Sequence, residues 1–494
     1  MSPRIASLLI PLLLLPAASA GSQPPAATPY QVVEGIASVA WGDPHPALGG
    51  GSPLRLTVVE ATGLVRAFYF APGSPAFDFE PRRLQGRRVR VLFDPGRGPG
   101  AEPLGVLVIG ADAPDAPALS GSQPWISLMC KFADVAAEPH NLAFFTQMFD
   151  NSPGRLDHYW REVSYDLIDV VGSGAYGWVV LPGNQTVYVP TPGSGCLDGD
   201  PNNDADLDLL FADCTAVADP FVDFSLGGTG GYVGINLMFN GDLDGCAWGG
   251  SMWANLDGVN KSWRTTWEPP WGYQNVSVMA HEMGHGFGLP HSNNWDNDGS
   301  PYDNSWDVMS DAWNYAASDP TYGTLGKHTI GYHKDLLDWF TAAEVWTPPG
   351  NGVYSIVVSD LALPTALGYR MAKLPIPSTT RYWTLETRDR TGLYDAQLPG
   401  HAVVVHEVYP SRAEDAWCYD AGVPVGNFCN GAGTMWTVGE TFQDPTAGRL
   451  IAARVDAQTT DGFALTVWYG VPTTALFLDG FETGDTTRWS AAVP

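Results

Sequence analysis

Apolar and polar residues alternate with a period near two through much of the first hundred positions. Residues 31–40, 54–58, 63–70, 88–93 and 104–109 each read as a short strand bounded by turn formers. Five such strands predict a small β-barrel-like domain, OB-like in size, over residues 21–120. A stretch rich in proline, alanine and glycine at 111–123 reads as a linker. From Pro124 the period changes repeatedly. Strand patterns at 126–132, 170–181 and 232–239 are interleaved with helical ones at 141–149, 155–164 and 204–215. In the last of these, Leu207, Leu210, Phe211 and Cys214 share one face. Residues 275–288 predict a further helix, and residues 322–340 a long one that closes the domain. Beyond 346 the period of two returns, at 352–358, 382–387, 402–408 and 463–468, as expected of a β-sandwich. The fold class expected is multidomain. An α/β (α+β) domain at 124–345 is flanked by the small β domain and by a β-sandwich at 346–470, with a tail at 471–494.

The predicted helix at 275–288 carries the chemistry. It holds His281-Glu282-Met283-Gly284-His285, followed by Gly286-Phe287-Gly288-Leu289-Pro290-His291. At i and i+4, His281 and His285 leave one helix face and can share a cation. Glu282 is turned aside, placed to reach a water beside the metal without ligating it. Gly288 can adopt the positive φ that ends the helix, and Pro290 keeps the helix from resuming. That reversal brings His291 round as a third ligand. Three neutral imidazoles with one open position are the donor set of a catalytic zinc site, whereas structural sites close all four positions. The alternative is a chance H-E-x-x-H on an ordinary helix. The glycine and third histidine at their offsets weigh against it.

This eleven-residue motif resembles the signature of the metzincin metalloproteases, in which a methionine turn follows downstream. Ser305-Trp306-Asp307-Val308-Met309-Ser310 matches that turn in position. The resemblance implies Met309 as an apolar floor beneath the imidazoles, a twisted sheet above a cleft with helices below it, and Zn2+ as cofactor. Asp157-His158-Tyr159-Trp160-Arg161-Glu162-Val163-Ser164-Tyr165, with Gly177-Trp178-Val179-Val180-Leu181-Pro182 after it, resembles immune inhibitor A-like bacterial proteases. So does Tyr332-His333-Lys334-Asp335-Leu336-Leu337-Asp338-Trp339. Those enzymes often carry aspartate where His291 stands, and His291-Ser292 is instead similar to gametolysin-like and matrixin-like enzymes. The resemblance covers roughly residues 124–345. It implies a zinc-dependent endopeptidase acting on protein or peptide substrates, with Glu282 as general base and His281, His285 and His291 as metal ligands. Residues after Met309, such as Trp313, would line the pocket for the side chain that follows the cleaved bond. Two other readings stay open: a zinc amidase acting on a cell-wall or matrix polymer, and an inactive protease scaffold used for binding. Retention of Glu282 weighs against the second.

Compartment and charge narrow the partners. Residues 1–20 read as a secretory signal peptide, with Arg4, an apolar run from Leu8 to Leu15, and Ala18-Ser19-Ala20. That run is too short to span a bilayer, and no later stretch is apolar enough, so a secreted protein without an integral membrane segment is expected. The six cysteines are an even set in an exported chain and predict disulfides. Short loops favour Cys418 with Cys429 and Cys196 with Cys214, leaving Cys130 with Cys246. With 53 acidic against 25 basic residues, nucleic acid and anionic membrane surfaces are poor partners. Oligomeric state is not readable. Residues 21–120 contain no cysteine, so this module cannot silence a zinc through a thiolate. It is either an accessory domain or a propeptide that covers the cleft.

Asp198, Asp200, Asp204 and Asp206 are spaced as in Ca2+ loops, with a solvated loop capping the next helix as the equal alternative. Asp296, Asp298, Asp303 and Asp307 form a similar cluster. Its alternative is a plain loop in which Asp307 orients a histidine or the methionine turn. His140, His158, His328 and His333 lack ligand spacing and read as structural, as do His401, His406 and Glu386.

Overall fold

Ten strands form one sheet that runs through the N-terminal and central parts of the chain. They are β1 (Gln31–Pro44), β2 (Leu54–Glu60), β3 (Val65–Phe70), β4 (Arg88–Phe93), β5 (Gly105–Val108), β6 (Trp125–Lys131), β7 (Gly174–Val180), β8 (Gly234–Phe239), β9 (Cys246–Leu256) and β10 (Val259–Glu268). The computed structural model describes residues 30–70, 81–98, 100–109, 118–226, 231–296, 298–410 and 412–474. The expected signal peptide, most of the tail and part of the linker lie outside them. The strand order is β3-β2-β1-β9-β10-β8-β6-β7, with β4 on β1 and β5 on β4. Strands β7, β6, β8 and β10 pair in parallel, and β9 runs antiparallel to β10.

A separate barrel was expected for residues 21–120, and the sheet corrects this. The five strands do bury a core of their own, from Val33, Leu56, Phe68 and Val91 among others. Yet β1 continues past Ala40 to Pro44 and pairs antiparallel with β9, Trp41 opposite Gly249 and Asp43 opposite Ala247. The reason lies in β1 itself, which is buried at every position from Ala37 to Pro44. A strand so apolar needs cover on both faces and both edges. Gly42 permits the close approach, because a Cβ there would meet the Trp248 ring at 2.8 Å.

The central strands separate two cores by simple alternation. From β6, Trp125 and Met129 face one layer while Ile126, Leu128 and Cys130 face the other. The first layer holds α1 (Leu142–Met148), α2 (Leu156–Val163) and the site helix; α3 (Leu207–Ala218) covers the second face through Leu207, Leu210, Phe211 and Cys214. In α2, Leu156, Tyr159, Trp160 and Val163 are buried, the i, i+3, i+4, i+7 stripe of an amphipathic helix. Each such side chain contributes about 1.5–3 kcal/mol on burial. The site helix, α4 (Val276–Gly286), is buried at all its positions.

Two further expectations are corrected. Residues 322–340 are not one long helix. Gly323 and Gly326 take positive φ, and only α5 (Gly331–Leu336) is helical. Asp338, also at positive φ, follows its end. The disulfides are Cys130–Cys214, Cys196–Cys246 and Cys418–Cys429, so two of three expected pairs exchange partners. Loop length favoured Cys196 with Cys214, but Cys214 lies on the inward face of α3, aimed at β6. Direction outweighs proximity in sequence.

The C-terminal part forms two facing sheets, as expected of a sandwich. One has six strands and one four, and Val358, Leu385, Val405, Val455 and Leu465 meet between them. The six-stranded sheet takes its outermost strand, Ser292–Asn294, from just after His291, paired in parallel with Ala416–Cys418. The sandwich therefore grips the chain at the third histidine. The fold as a whole is multi-sheet and strand-rich with few helices, and no helix among the described residues is long and apolar enough to cross a membrane.

Candidate metal centre

Helix α4 presents its histidines as the spacing requires, and its end is built by glycine. Gly288 has φ +92. Its N–H donates to His285 O at 2.9 Å, and Leu289 N–H reaches back to Gly284 O at 3.0 Å. These bonds satisfy the last carbonyls and reverse the chain, so that His291 returns to His281 and His285. The three Nε2 atoms lie 3.1, 3.1 and 3.2 Å apart.

Tautomers follow from the partners. His281 Nδ1 is 2.7 Å from Val308 O and His285 Nδ1 is 2.8 Å from Leu289 O. A carbonyl only accepts, so both Nδ1 atoms carry the proton and both Nε2 atoms turn lone pairs toward the shared centre. Lone pairs at such separations repel unless a cation lies between them. The spacing also suits one: zinc–nitrogen bonds of about 2.0–2.1 Å in a tetrahedron place neighbouring donors about 3.3–3.4 Å apart. Burial pushes the His285 imidazole down to about 3, which keeps it in the neutral form a metal requires.

A fourth donor comes from 248 residues upstream of His291. Asp43, at the end of β1, places Oδ1 2.8 Å from His291 Nε2 and 3.4 Å from His281 Nε2, with Oδ2 3.3 Å from His285 Nε2. All four side chains are buried. Burial opposes the charge of Asp43, and the positive charge that His291 and His281 carry when protonated overcomes it and holds the carboxyl well below its usual range. Tyr302 donates to Asp43 Oδ1 at 2.7 Å and sets its ring edge-on to His291.

Glu282 is fully buried, and neither carboxylate oxygen accepts a hydrogen bond. Burial, then the negative charges of Asp43 and Glu268, push it well above the usual carboxylate range. Glu268, at the end of β10, is likewise buried and pushed up to about 8, chiefly by burial. Gly249 of β9 packs directly over the Glu282 carboxylate; a Cβ there would lie 2.6 Å from its Oε2. Beside His281 and Glu282 opens a cavity of about 360 Å3, lined also by Trp271, Val278, Tyr302 and Trp313.

Met309 lies under the helix as a floor. Its Sδ is so close that a Cβ on Gly284 would meet it at 2.4 Å, which explains a glycine between the two helical histidines. Asp307 organises this turn. It accepts from Ser292 Oγ at 2.7 Å, Met309 N–H at 3.2 Å and Ile330 N–H at 3.4 Å, and faces His333 Nδ1 at 3.1 Å. Burial alone would raise its pKa, but the His333 charge and these bonds bring it below the ordinary value. Of the alternatives for Asp307, the turn-orienting one is what the geometry displays. His333 and His406 are structural, as expected, yet both reach this network: Asn304 Nδ2 bridges Ser292 Oγ and His406 Nε2. Glu386 accepts from Gly331 N–H, and its partner Arg388 donates to Trp306 O.

The acidic loops divide. Among the described residues, Asp198, Asp200 and Asp204 do not gather into a ligand group. Asp206 caps α3 by accepting from Leu209 N–H at 3.0 Å, while Asp198 and Asp200 serve the N–H groups two residues on. The capping alternative describes this loop. Asp296, Asp298 and Asp303 do converge, within 4.8 Å, as a group separate from the imidazoles.

The three histidines, Glu282 and Met309 were all visible in sequence, because one helix, the glycine stop after it and one turn carry them. Asp43, Tyr302, Glu268 and Gly249 were missed. The one available hint was an isolated carboxylate in Trp41-Gly42-Asp43-Pro44, closing an otherwise apolar strand. Compared with protein-family models, with curated proteins and with solved structures, the chain matches none.

Proposed function

We propose that this chain is a zinc-dependent endopeptidase. The observation that carries the reading is the convergence of three imidazole Nε2 atoms within 3.2 Å, with the buried carboxyl of Glu282 lining the cavity beside them. His281, His285 and His291 would hold the metal, which when bound polarises a carbonyl and lowers the pKa of water toward ~7. A bound cation beside Glu282 would offset the burial and negative neighbours that raise it, and the ionised carboxylate would take a proton from the attacking water and return it to the leaving amine, a role worth about 10²–10⁴-fold. Gly249 packs over one side of the Glu282 carboxylate, which leaves the cavity as its open side. Met309 and Gly284 hold the helical turn between the two histidines. Trp271 and Trp313 give the adjoining cavity an aromatic wall, suited to an apolar or aromatic side chain following the cleaved bond. Strands β7, β6, β8 and β10 paired in parallel, with antiparallel β9 beside them and α4 packed against β9 and β10, support the metzincin resemblance, and three disulfides are compatible with an extracellular setting.

Mass-spectrometric cleavage profiling of a peptide library by the purified, zinc-loaded chain tests this reading. The Glu282→Ala variant should retain one zinc and lose the cleavages. Cleavage persisting at the wild-type rate in that variant removes the assigned mechanism. Hydrolysis confined to cell-wall or matrix amides replaces the substrate class.

A further inference from the structure

Strand β1 enters the metal centre from outside the elements that build it. Without β1, β9 would be the free edge of the central strands, and a free edge accepts an extended chain by strand addition. β1 takes that place, in register from Ala40 opposite Gly250 to Pro44 opposite Cys246. Three side chains at alternate positions then meet the site, as the strand period requires. Trp41 stacks on His285, ring centroids 4.7 Å apart and planes 10° from parallel. Asp43 spans the three imidazole Nε2 atoms. His45 sets its ring against Trp271 at 5.1 Å and Trp313 at 6.3 Å, at the mouth of the 360 Å3 cavity. A second tether holds the module in place: Arg55 of β2 forks onto Asp208 of α3, with N–O distances of 3.1 and 2.5 Å.

Resting on the zinc reading above, we propose that β1 is a built-in plug, with Asp43 as the metal's fourth ligand and residues 40–45 covering the strand edge and cavity that a peptide would use. A carboxylate oxygen is an ordinary zinc ligand, and a fourth protein donor turns an open site into a closed one. Latency of this kind needs no cysteine, and residues 21–120 have none. Only non-covalent contacts hold the plug: the pairing of β1 with β9, the Arg55–Asp208 ion pair, the Tyr302–Asp43 hydrogen bond and the Trp41–His285 stack.

The test uses the full-length chain loaded with Co2+, whose visible spectrum reports the donor set, and acetohydroxamate as a probe of the fourth position. A closed protein binds such a probe only through its open minor state. A minor state of about 0.1–10% weakens the probe by about 10- to 1,000-fold. Asp43→Ala should therefore bind acetohydroxamate at least about 10-fold more tightly than wild type, with a changed cobalt spectrum. Asp43→Asn, which keeps the volume and packing, should fall between them. Equal affinity and identical spectra in all three proteins overturn the plug and leave the three-histidine site standing. Loss of cobalt from both variants also overturns it, since an inhibitory ligand is dispensable for holding the metal. A wild-type chain that binds no cobalt overturns both the plug and the zinc reading.

Discussion

Asp307 is the residue whose removal most directly tests how the centre is supported. Its carboxylate joins four parts of the molecule: Ser292 beside the third histidine, Met309 in the turn, Ile330 at the start of α5, and His333 within it. Asp307→Ala leaves those donors buried and unpaired. Hydrogen bonds to a charged group are worth about 1.5–3 kcal/mol each, and breaking a buried pair from one side costs about 3–5 kcal/mol. We take the lower figures as additive only in part, because all four partners share one carboxylate. The expected loss is about 3–5 kcal/mol, a large share of a domain stability of about 5–15 kcal/mol. Asp307→Asn keeps the shape and can still accept from Met309 and Ile330, so about half that loss is expected. Groups that orient ligands from behind typically change metal affinity by about 10–100-fold. Urea midpoints measured with and without zinc, and zinc competition against a chromogenic chelator, report both quantities. An Asp307→Ala protein within about 0.5 kcal/mol of wild type and unchanged in zinc affinity would refute the bracing argument.

Two further predictions use other parts of the structure. Gly284→Ala drives a Cβ to 2.4 Å from Met309 Sδ, so a cost of about 1–3 kcal/mol from overpacking is expected. Pairing it with Met309→Ala should recover part of that cost in a double-mutant cycle, and strict additivity of the two losses would show that they do not touch. Stability should also depend on acid through Asp395. Burial opposes its charge, but Arg388 and the His328 N–H hold its pKa below the ordinary value. A depressed folded pKa contributes stability above the unfolded value of about 3.9 and loses it as pH falls through the folded one. The gap in urea midpoint between wild type and Arg388→Met should be widest near about pH 6–7 and narrow toward about pH 3. Parallel curves across that range would contradict the assignment.

Particular residues separate what local rules could reach from what they could not. His281 and His285 needed only the 3.6-residue turn, and His291 needed only the φ +92 of Gly288. The strands of both β regions were legible because alternation is a property of neighbours along the chain. The long helix expected at 322–340 failed because apolar spacing was weighed over Gly323 and Gly326, whose positive φ ends any helix. The cysteine pairing failed because loop length ignores which face of α3 carries Cys214.

The motif determines which face of α4 presents the two histidines whatever surrounds it, since i, i+4 spacing and a glycine stop are backbone geometry. Which group completes the donor set is a different kind of fact. Asp43 reaches His291, 248 residues away, through one stretch of strand pairing between β1 and β9. No spacing in the chain encodes that distance. Burial of an apolar strand on every side selects its partner, and the partner's place beside α4 puts the carboxylate over the site. The same holds for the support behind His291, where Ser292–Asn294 joins a sheet built mainly from residues beyond 340. Short-range geometry placed two histidines on α4 and turned the third back toward them. Long-range burial decided what closes the centre and what holds it in position.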